Sequence, residues 1–420
     1  MKIIFFIENY LLIIFALCYL YQFVYIMCML IFKGGRDRPD EEPAAPRKIG
    51  IVIPARNEAK VIGSLIDSIR MQNYPQEQVR IFVVADNCTD STAEIAKGMG
   101  AVVYERSDTS KIGKGYALNF LFDKILREDD CEAYVIFDAD NLASPDFLLE
   151  MNKVFSRGYR VVLGYRNSKN YASNWVSAGS SLWFLRDSEY LNHPRMLMNT
   201  SCLVAGTGFL IGRAVLEESN GWHYFSLTED VEFTANMIIK GEKIGYCGKA
   251  VFFDEQPVDF TQSWVQRVRW AKGFYQTIWK YGRDLIAGVA VKHNFACFDM
   301  LMSIFPALLL TLAYFIVILV RLFVNFARRP SLNALIYSIM YLAPFVIFGY
   351  ILLYCIGLIP TITEWGKINA PTGKKILYTF TFPVFMLTFI PIAGVALFKK
   401  VEWERVEHTI DKKIEDMVKT

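Results

Sequence analysis

An α/β domain built on a mainly parallel sheet and joined to membrane helices at both ends is the fold predicted by three observations in this 420-residue chain. Short β-branched runs alternate with segments of helical periodicity from Ile49 to Leu163, the pattern that βαβ crossovers require. Near-continuous apolar stretches of membrane-spanning length lie before and after that region. Hydrophobic residues make up 53% of the chain, and the excess over a soluble protein is concentrated at the two ends.

Taken from the N-terminus, Ile3–Phe32 is apolar apart from Glu8. It exceeds a signal-peptide core and lacks a small-residue cleavage site, so it predicts a retained anchor. Lys33, Arg36, Arg38, Arg47 and Lys48 follow it and, by the positive-inside bias, place the central region in the cytoplasm. Pro39, Pro43 and Pro46 make residues 34–47 a linker. Strands are predicted at 49–53, 80–85, 101–104, 133–138 and 160–163, and helices at roughly 59–72, 91–99, 115–126 and 145–155. Sheets of this kind bind ligands at the carboxyl ends of their strands. Arg56, Asp86 and Asp138 each fall just past a predicted strand, so one rim is expected to gather them.

At that rim stands Asp138-Ala139-Asp140. Two carboxylates one residue apart at the mouth of a buried strand suit a hard divalent cation, which prefers oxygen ligands and keeps positions open for phosphate. The signal is unspecific by itself, because D-x-D recurs by chance and strand-end aspartates often cap the next helix.

Further on, Thr261–Tyr281 interleaves Trp264, Trp270, Phe274 and Trp279 with Arg267, Arg269, Lys272 and Lys280, the composition of an amphipathic helix at a membrane interface. Apolar runs at about 301–326, 332–358 and 377–398 predict three more spans. Four spans put the C-terminus across the bilayer from the central domain. Lys399, Lys400, Lys412 and Lys413, with an apolar stripe at Trp403, Val406, Ile410, Ile414 and Met417, instead predict a tail lying on the inner membrane surface. The two expectations agree only if one apolar run is re-entrant or interfacial.

Several classes are excluded. A net charge of +3 gives no footing for nucleic acid. The eight cysteines lack ligand spacing, which argues against a zinc site or a disulfide framework. His193, His223, His293 and His408 are expected to be structural or solvated. Gly113-Lys114-Gly115 lacks P-loop spacing, and Gly206-Thr207-Gly208 reaches Gly212 one residue out of step with a dinucleotide loop.

Read in order, Ile53-Pro54-Ala55-Arg56-Asn57-Glu58, Asp86 through Asp90, Lys114 through Asn119, the D-x-D, Gly206-Thr207-Gly208, Thr228-Glu229-Asp230 and Gln266-Arg267-Val268-Arg269-Trp270 make the chain resemble the membrane-integrated family 2 glycosyltransferases, the group holding cellulose, hyaluronan and chitin synthases. The resemblance implies a GT-A (Rossmann-like) catalytic domain at 48–258, between a transmembrane helix at 1–33 with its linker and interface helices at 259–297. About three transmembrane helices at 298–398 and an amphipathic charged tail at 399–420 complete it. It also implies a UDP-sugar donor, Mg²⁺ or Mn²⁺ as cofactor, and a growing glycan as acceptor, at the cytoplasmic face of a multi-pass plasma-membrane enzyme. Room is left for an accessory export subunit, and no nucleic acid is involved.

By the same resemblance, Ala55, Arg56, Glu58, Asp86, Lys114, Asp138, Gln266, Arg269 and Trp270 bind the nucleotide-sugar. Asp140 with Asp138 holds the metal, and Gly206, Thr207, Gly208 and Trp270 face the acceptor. Asp230 is the base, with Thr228 and Glu229 beside it. The implied activity is processive, inverting polymerisation, with UDP-glucose to a β-glucan first. UDP-N-acetylglucosamine to a chitin-like or poly-N-acetylglucosamine product is the alternative, as is transfer of one sugar to a lipid carrier. No gating-loop motif follows the catalytic region, which weighs against cellulose itself.

Overall fold

The computed structural model describes residues 2–32, 44–328 and 330–418. Residues 33–43 of the predicted linker, with Lys33, Arg36 and Arg38, lie outside them. The strands are β1 (Ile49–Ala55), β2 (Val79–Asp86), β3 (Val102–Arg106), β4 (Ala133–Ile136), β5 (Leu142–Ala143), β6 (Val161–Ser168), β7 (Phe209–Gly212) and β8 (Ile244–Asp254). They form one sheet in the order β3-β2-β1-β4-β7-β6-β8-β5. Pairs among β1 to β4 are parallel, and so is β6 with β8. The unforeseen β7 runs antiparallel between β4 and β6, so the sheet is mixed.

The helices of the catalytic region are α2 (Ile62–Arg70), α3 (Thr92–Gly98), α4 (Lys114–Glu128), α5 (Phe147–Ser156), α6 (Trp175–Arg186), α7 (His193–Leu197), α8 (Arg213–Glu218) and α9 (Glu229–Ile239). Their apolar faces sandwich the sheet. Ile49, Ile51 and Ile53 point to a core shared with α2 and α5, while Val52 points to one shared with α4 and α6, as the two-residue period of a strand demands. Gly50 carries no side chain because a Cβ there would meet the Tyr134 ring at 2.6 Å.

Around this domain lie α1 (Lys2–Phe32), α10 (Phe260–Ala290), α11 (Phe295–Ile304), α12 (Pro306–Arg328), α13 (Leu332–Thr363), α14 (Thr372–Leu387) and α15 (Phe389–Phe398). Four stretches, 3–32, 309–328, 336–363 and 372–398, are long and apolar enough to cross a membrane. Glu8, the flaw in the first, pairs with Arg321 of α12. Near its other end α1 is fastened to the catalytic domain: Tyr21 and Tyr25 donate to Asp299, which Arg195 also holds with two hydrogen bonds of 2.7 and 2.8 Å.

The fourth stretch differs from the other three. About a third of it is buried, against 0–6% for the rest. Lys374 donates to Ala172 O, Phe385 packs flat on Gly179 of α6, and Thr388 accepts from Arg267 of α10. Ile392 and Ala396 then pack on Val268 and Ala271. Both ends of 372–398 are therefore pinned to helices α6 and α10, and the segment lies along them. It also packs on α13 and α12, two of the other helices of membrane-spanning length.

The chain beyond Phe398 is also not the amphipathic helix its stripe suggests. Residues 399–413 have no regular secondary structure, and the tail lies on the catalytic domain, not on a separate surface. Ile414 and Met417 are buried against Leu142 and Phe253. A helix-period stripe also appears in an irregular strap whose apolar residues bind at intervals, and hydropathy does not separate the two.

Candidate active site

A cavity of about 530 Å³ opens at the carboxyl ends of β1, β2 and β4. Every nucleotide-sugar, metal and catalytic candidate named above lines it, as do Gly206 and Trp270. Thr207 and Gly208 do not; they brace the floor. The Thr207 hydroxyl receives the Asp138 N–H at 2.8 Å and itself donates to Asn141. Gly208 has φ +67°, and a Cβ there would meet the Phe252 ring at 2.2 Å. A left-handed turn and close packing both require glycine at that position.

After β1, Asn57 adopts φ 58° and accepts the Thr89 N–H at 2.7 Å, which turns Arg56 and Glu58 into the cavity mouth. Asp86 ends β2, where its Oδ1 accepts from Arg106 at 2.5 Å and from Asn87 at 3.0 Å. Burial pushes its carboxyl up, against the Arg106 guanidinium. Lys114 opens α4 and is held by Asp138 and by the Gly206 carbonyl at 2.7 Å, with Glu229 at 3.8 Å. Burial would lower this amine, but the Asp138 and Glu229 carboxylates hold it above the usual lysine range.

Asp140 is buried and accepts the Glu255 N–H at 2.8 Å. Burial opposes its ionisation, yet His408 and Lys169 nearby bring its carboxyl below the usual value. On α9, Thr228 sits at the N-cap but makes no side-chain cap, and its buried hydroxyl has no partner among the described residues. That removes the helix-capping explanation of the triplet. Burial raises the Glu229 carboxyl to about 7 against the pull of Lys114, and raises Asp230 as well. Arg269 of α10 is half-buried beside Glu229, Asp138 and Asp230. Trp270 meets the Phe184 ring edge-on at 5.9 Å. Arg267, between the motif's Gln266 and Arg269, points the other way, over the Phe385 ring at 4.3 Å.

Sequence reasoning missed the tail. Trp403, Arg405 and His408 line the same cavity. Arg405 donates to the Asn57 carbonyl, Arg56 lies 5.3 Å from the Trp403 ring, and His408 Nδ1 lies 3.1 Å from Glu58. The Glu255 carboxylate fixes the strap by accepting the Thr409 and Ile410 N–H groups at 3.0 Å. Burial pulls the His408 imidazole down, but Asp140 and Glu58 more than reverse it, to about 9. His408 is therefore not solvated: it is packed into the cavity wall and paired with Glu58. No local spacing marks it, since its neighbours in space lie more than 150 residues away in the chain.

The family profile described as "Glycosyltransferase like family 2" matches residues 46–273. Among curated proteins, the chain is 25% identical over 244 residues to a probable glycosyltransferase, YdaM, of Bacillus subtilis, covering 56% of this chain and 57% of that one. It is 28% identical over 269 residues to a beta-monoglucosyldiacylglycerol synthase of Nostoc, covering 61% and 55%. The chain thus spans little more than half the length of these relatives. Among solved structures, a mannosyltransferase of Pyrobaculum calidifontis in complex with GDP-Man and Mn²⁺ superposes with a TM-score of 0.60 at 18% identity, covering 93% of this chain and 99% of that one. A likeness at that identity shows a shared fold.

Proposed function

The chain belongs to the glycosyltransferase-like family 2, and on that premise we propose that it is a metal-dependent, inverting hexosyltransferase. It takes a sugar from a UDP-sugar and passes it to a hydroxyl acceptor delivered from the membrane. One observation carries the reading: the cavity that gathers Asp86, Lys114, Asp138, Asp140 and Asp230 continues to Phe15, Tyr19 and Phe23 of α1 and to Leu352 and Ile356 of α13. A donor site is thereby joined to apolar helices.

In this reading Asp86 Oδ2, left free by Arg106, accepts a uracil N–H, and Arg56, Glu58 and Ala55 shape the nucleotide pocket. Lys114 and Arg269 offset diphosphate charge. Asp138 and Asp140 are the residues that would hold Mg²⁺ or Mn²⁺, with His408 beside them. Two carboxylates fit such an ion, and Lys114 and His408 already place positive charge there. Among the described residues no three acidic, histidine or cysteine side chains form a ready-made cluster, consistent with a site whose other positions go to phosphate and water. The bound ion supplies Lewis-acid stabilisation of the departing diphosphate.

Asp230, with its raised carboxyl, takes the proton of the attacking hydroxyl, the task of a base near neutral pH. The enzyme would work at the cytoplasmic face of the plasma membrane, with 48–258 as its catalytic domain. The test is UDP release from the purified protein: it should need Mg²⁺ or Mn²⁺ and vanish in Asp230→Asn. Robust turnover by that variant would remove Asp230 as base.

A second reading is processive synthesis of a β-linked polysaccharide, from UDP-glucose or UDP-N-acetylglucosamine. It is favoured by Trp270, whose ring with Phe184 forms an aromatic wall in the cavity of the kind on which sugar rings stack. Sizing the radiolabelled product separates the two readings.

A further inference from the structure

Between the donor site and the membrane end of the cavity lies a polar collar, which the site described above does not use. Contacts order the path. Trp270 touches Phe184, two residues later comes Arg186, and Arg186 donates to Gln22 of α1 at 2.7 Å. Gln22 is flanked along α1 by the apolar lining residues Tyr19 and Phe23. Asp187, also in the lining, begins a π-helical turn over Asp187–Asn192. Such turns re-aim side chains and recur at functional sites.

The charges of the collar are nearly all committed. Arg166 is paired with Asp254 and Arg195 with Asp299. Arg186 and Asp187 remain, 3.8 Å apart and too far for a hydrogen bond. The Asp187 carboxylate accepts no hydrogen bond among the described residues. Burial holds the Arg186 guanidinium below its usual value and the Asp187 carboxyl above its own. The pair is only partly shielded, Arg186 11% and Asp187 26% exposed, and the unbonded Asp187 carboxylate lines the cavity, open to a third group.

Resting on the reading of the cavity as a sugar-transfer site, we infer that Arg186, Asp187 and Gln22 form the acceptor headgroup site, and that the acceptor is a lipid with a neutral, hydroxyl-bearing headgroup. A hydroxyl donates to the Asp187 carboxylate and accepts from Arg186 or Gln22. The pair has no net charge, so it does not favour an anion, and a phosphate would be set against Asp187. The acyl chains extend between α1 and α13, where the lining is apolar.

The test uses the full chain in detergent micelles, with a radiolabelled UDP-sugar and either diacylglycerol or phosphatidic acid. Label should enter the diacylglycerol product at least tenfold faster than any phosphatidic acid product. Asp187→Asn, which keeps the side-chain volume, and Arg186→Gln should raise the KM for diacylglycerol at least tenfold, while the KM for the UDP-sugar changes less than twofold. Size-exclusion profiles confirm that the variants fold. Equal use of the two lipids, or parallel shifts in both KM values, overturns the headgroup site. UDP release without label in either lipid overturns it too, yet leaves the sugar-transfer reading standing. No UDP release from any donor defeats that reading itself.

Discussion

Two glycines of α10 should respond to the same substitution in opposite ways. Gly→Ala in a helix interior gains about 0.8–1 kcal/mol of helix propensity. At Gly282 the new Cβ would meet only Ile278, at 3.8 and 4.0 Å, which is ordinary contact. At Gly273 it would lie 2.3 Å from Thr228 Oγ1 and 2.6 and 2.8 Å from Cγ2 and Cβ. Restoring an ordinary 3.4 Å separation moves Thr228 by about 1 Å, and overpacking of this sort costs about 1–3 kcal/mol. Gly282→Ala should therefore stabilise the protein by about 1 kcal/mol, whereas Gly273→Ala should lose up to about 2 kcal/mol net. Activity should separate them further. Thr228 adjoins Glu229 and Asp230, and a displacement of ~1 Å at reacting groups lowers turnover by about 10²-fold. Thermal unfolding in detergent and UDP release measure the two effects. If the two variants behave alike in both assays, the contact between α10 and the Thr228 turn does not position the base.

Ile414→Asp should detach the strap from Leu142 and Phe253, losing about 1.5–3 kcal/mol of burial, and raise the KM for the UDP-sugar about tenfold or more without touching the cavity directly. Titrating UDP release against donor concentration checks it. His408→Ala removes a positive charge beside Asp140, so it should lower the Mn²⁺ concentration for half-maximal UDP release about tenfold, the order of one nearby unit charge. For pH, burial raises the carboxyl of Asp230, the proposed base, so kcat should fall as pH drops, at a higher pH than an ordinary aspartate would give. The stability contribution of Glu229 runs the other way. Its native form keeps the proton to about 7 while the unfolded form loses it near 4.5, so stability declines as pH rises between those values. Glu229→Gln should flatten that decline in thermal unfolding.

Motifs whose chemistry is local were legible in the chain. Asp86, Asp138, Asp140 and Asp230 are short-range patterns next to strands or helix starts, and the β-branched runs that place them follow a two-residue period. The structure brings them to one cavity. Strand β7 was not legible, because four apolar residues after a glycine turn do not reveal which neighbours they pair with. No local pattern marks Arg186 and Asp187; the π turn and the neighbouring Gln22 give them a shared lining.

Sequence alone determined the order of elements, the apolar length of four stretches and the carboxylates that line the cavity, because each follows from residues within a turn or two of one another. Tertiary structure decided what those stretches touch. Hydropathy measures the wish to leave water, not the partner found. So 372–398 has the length and hydropathy of a span, and which helices it packs on, α6 and α10 as well as α12 and α13, is set by the fold. A tail that reads as an amphipathic segment for the membrane surface brings His408 to Asp140, and its partners lie at the far ends of strands formed much earlier in the chain.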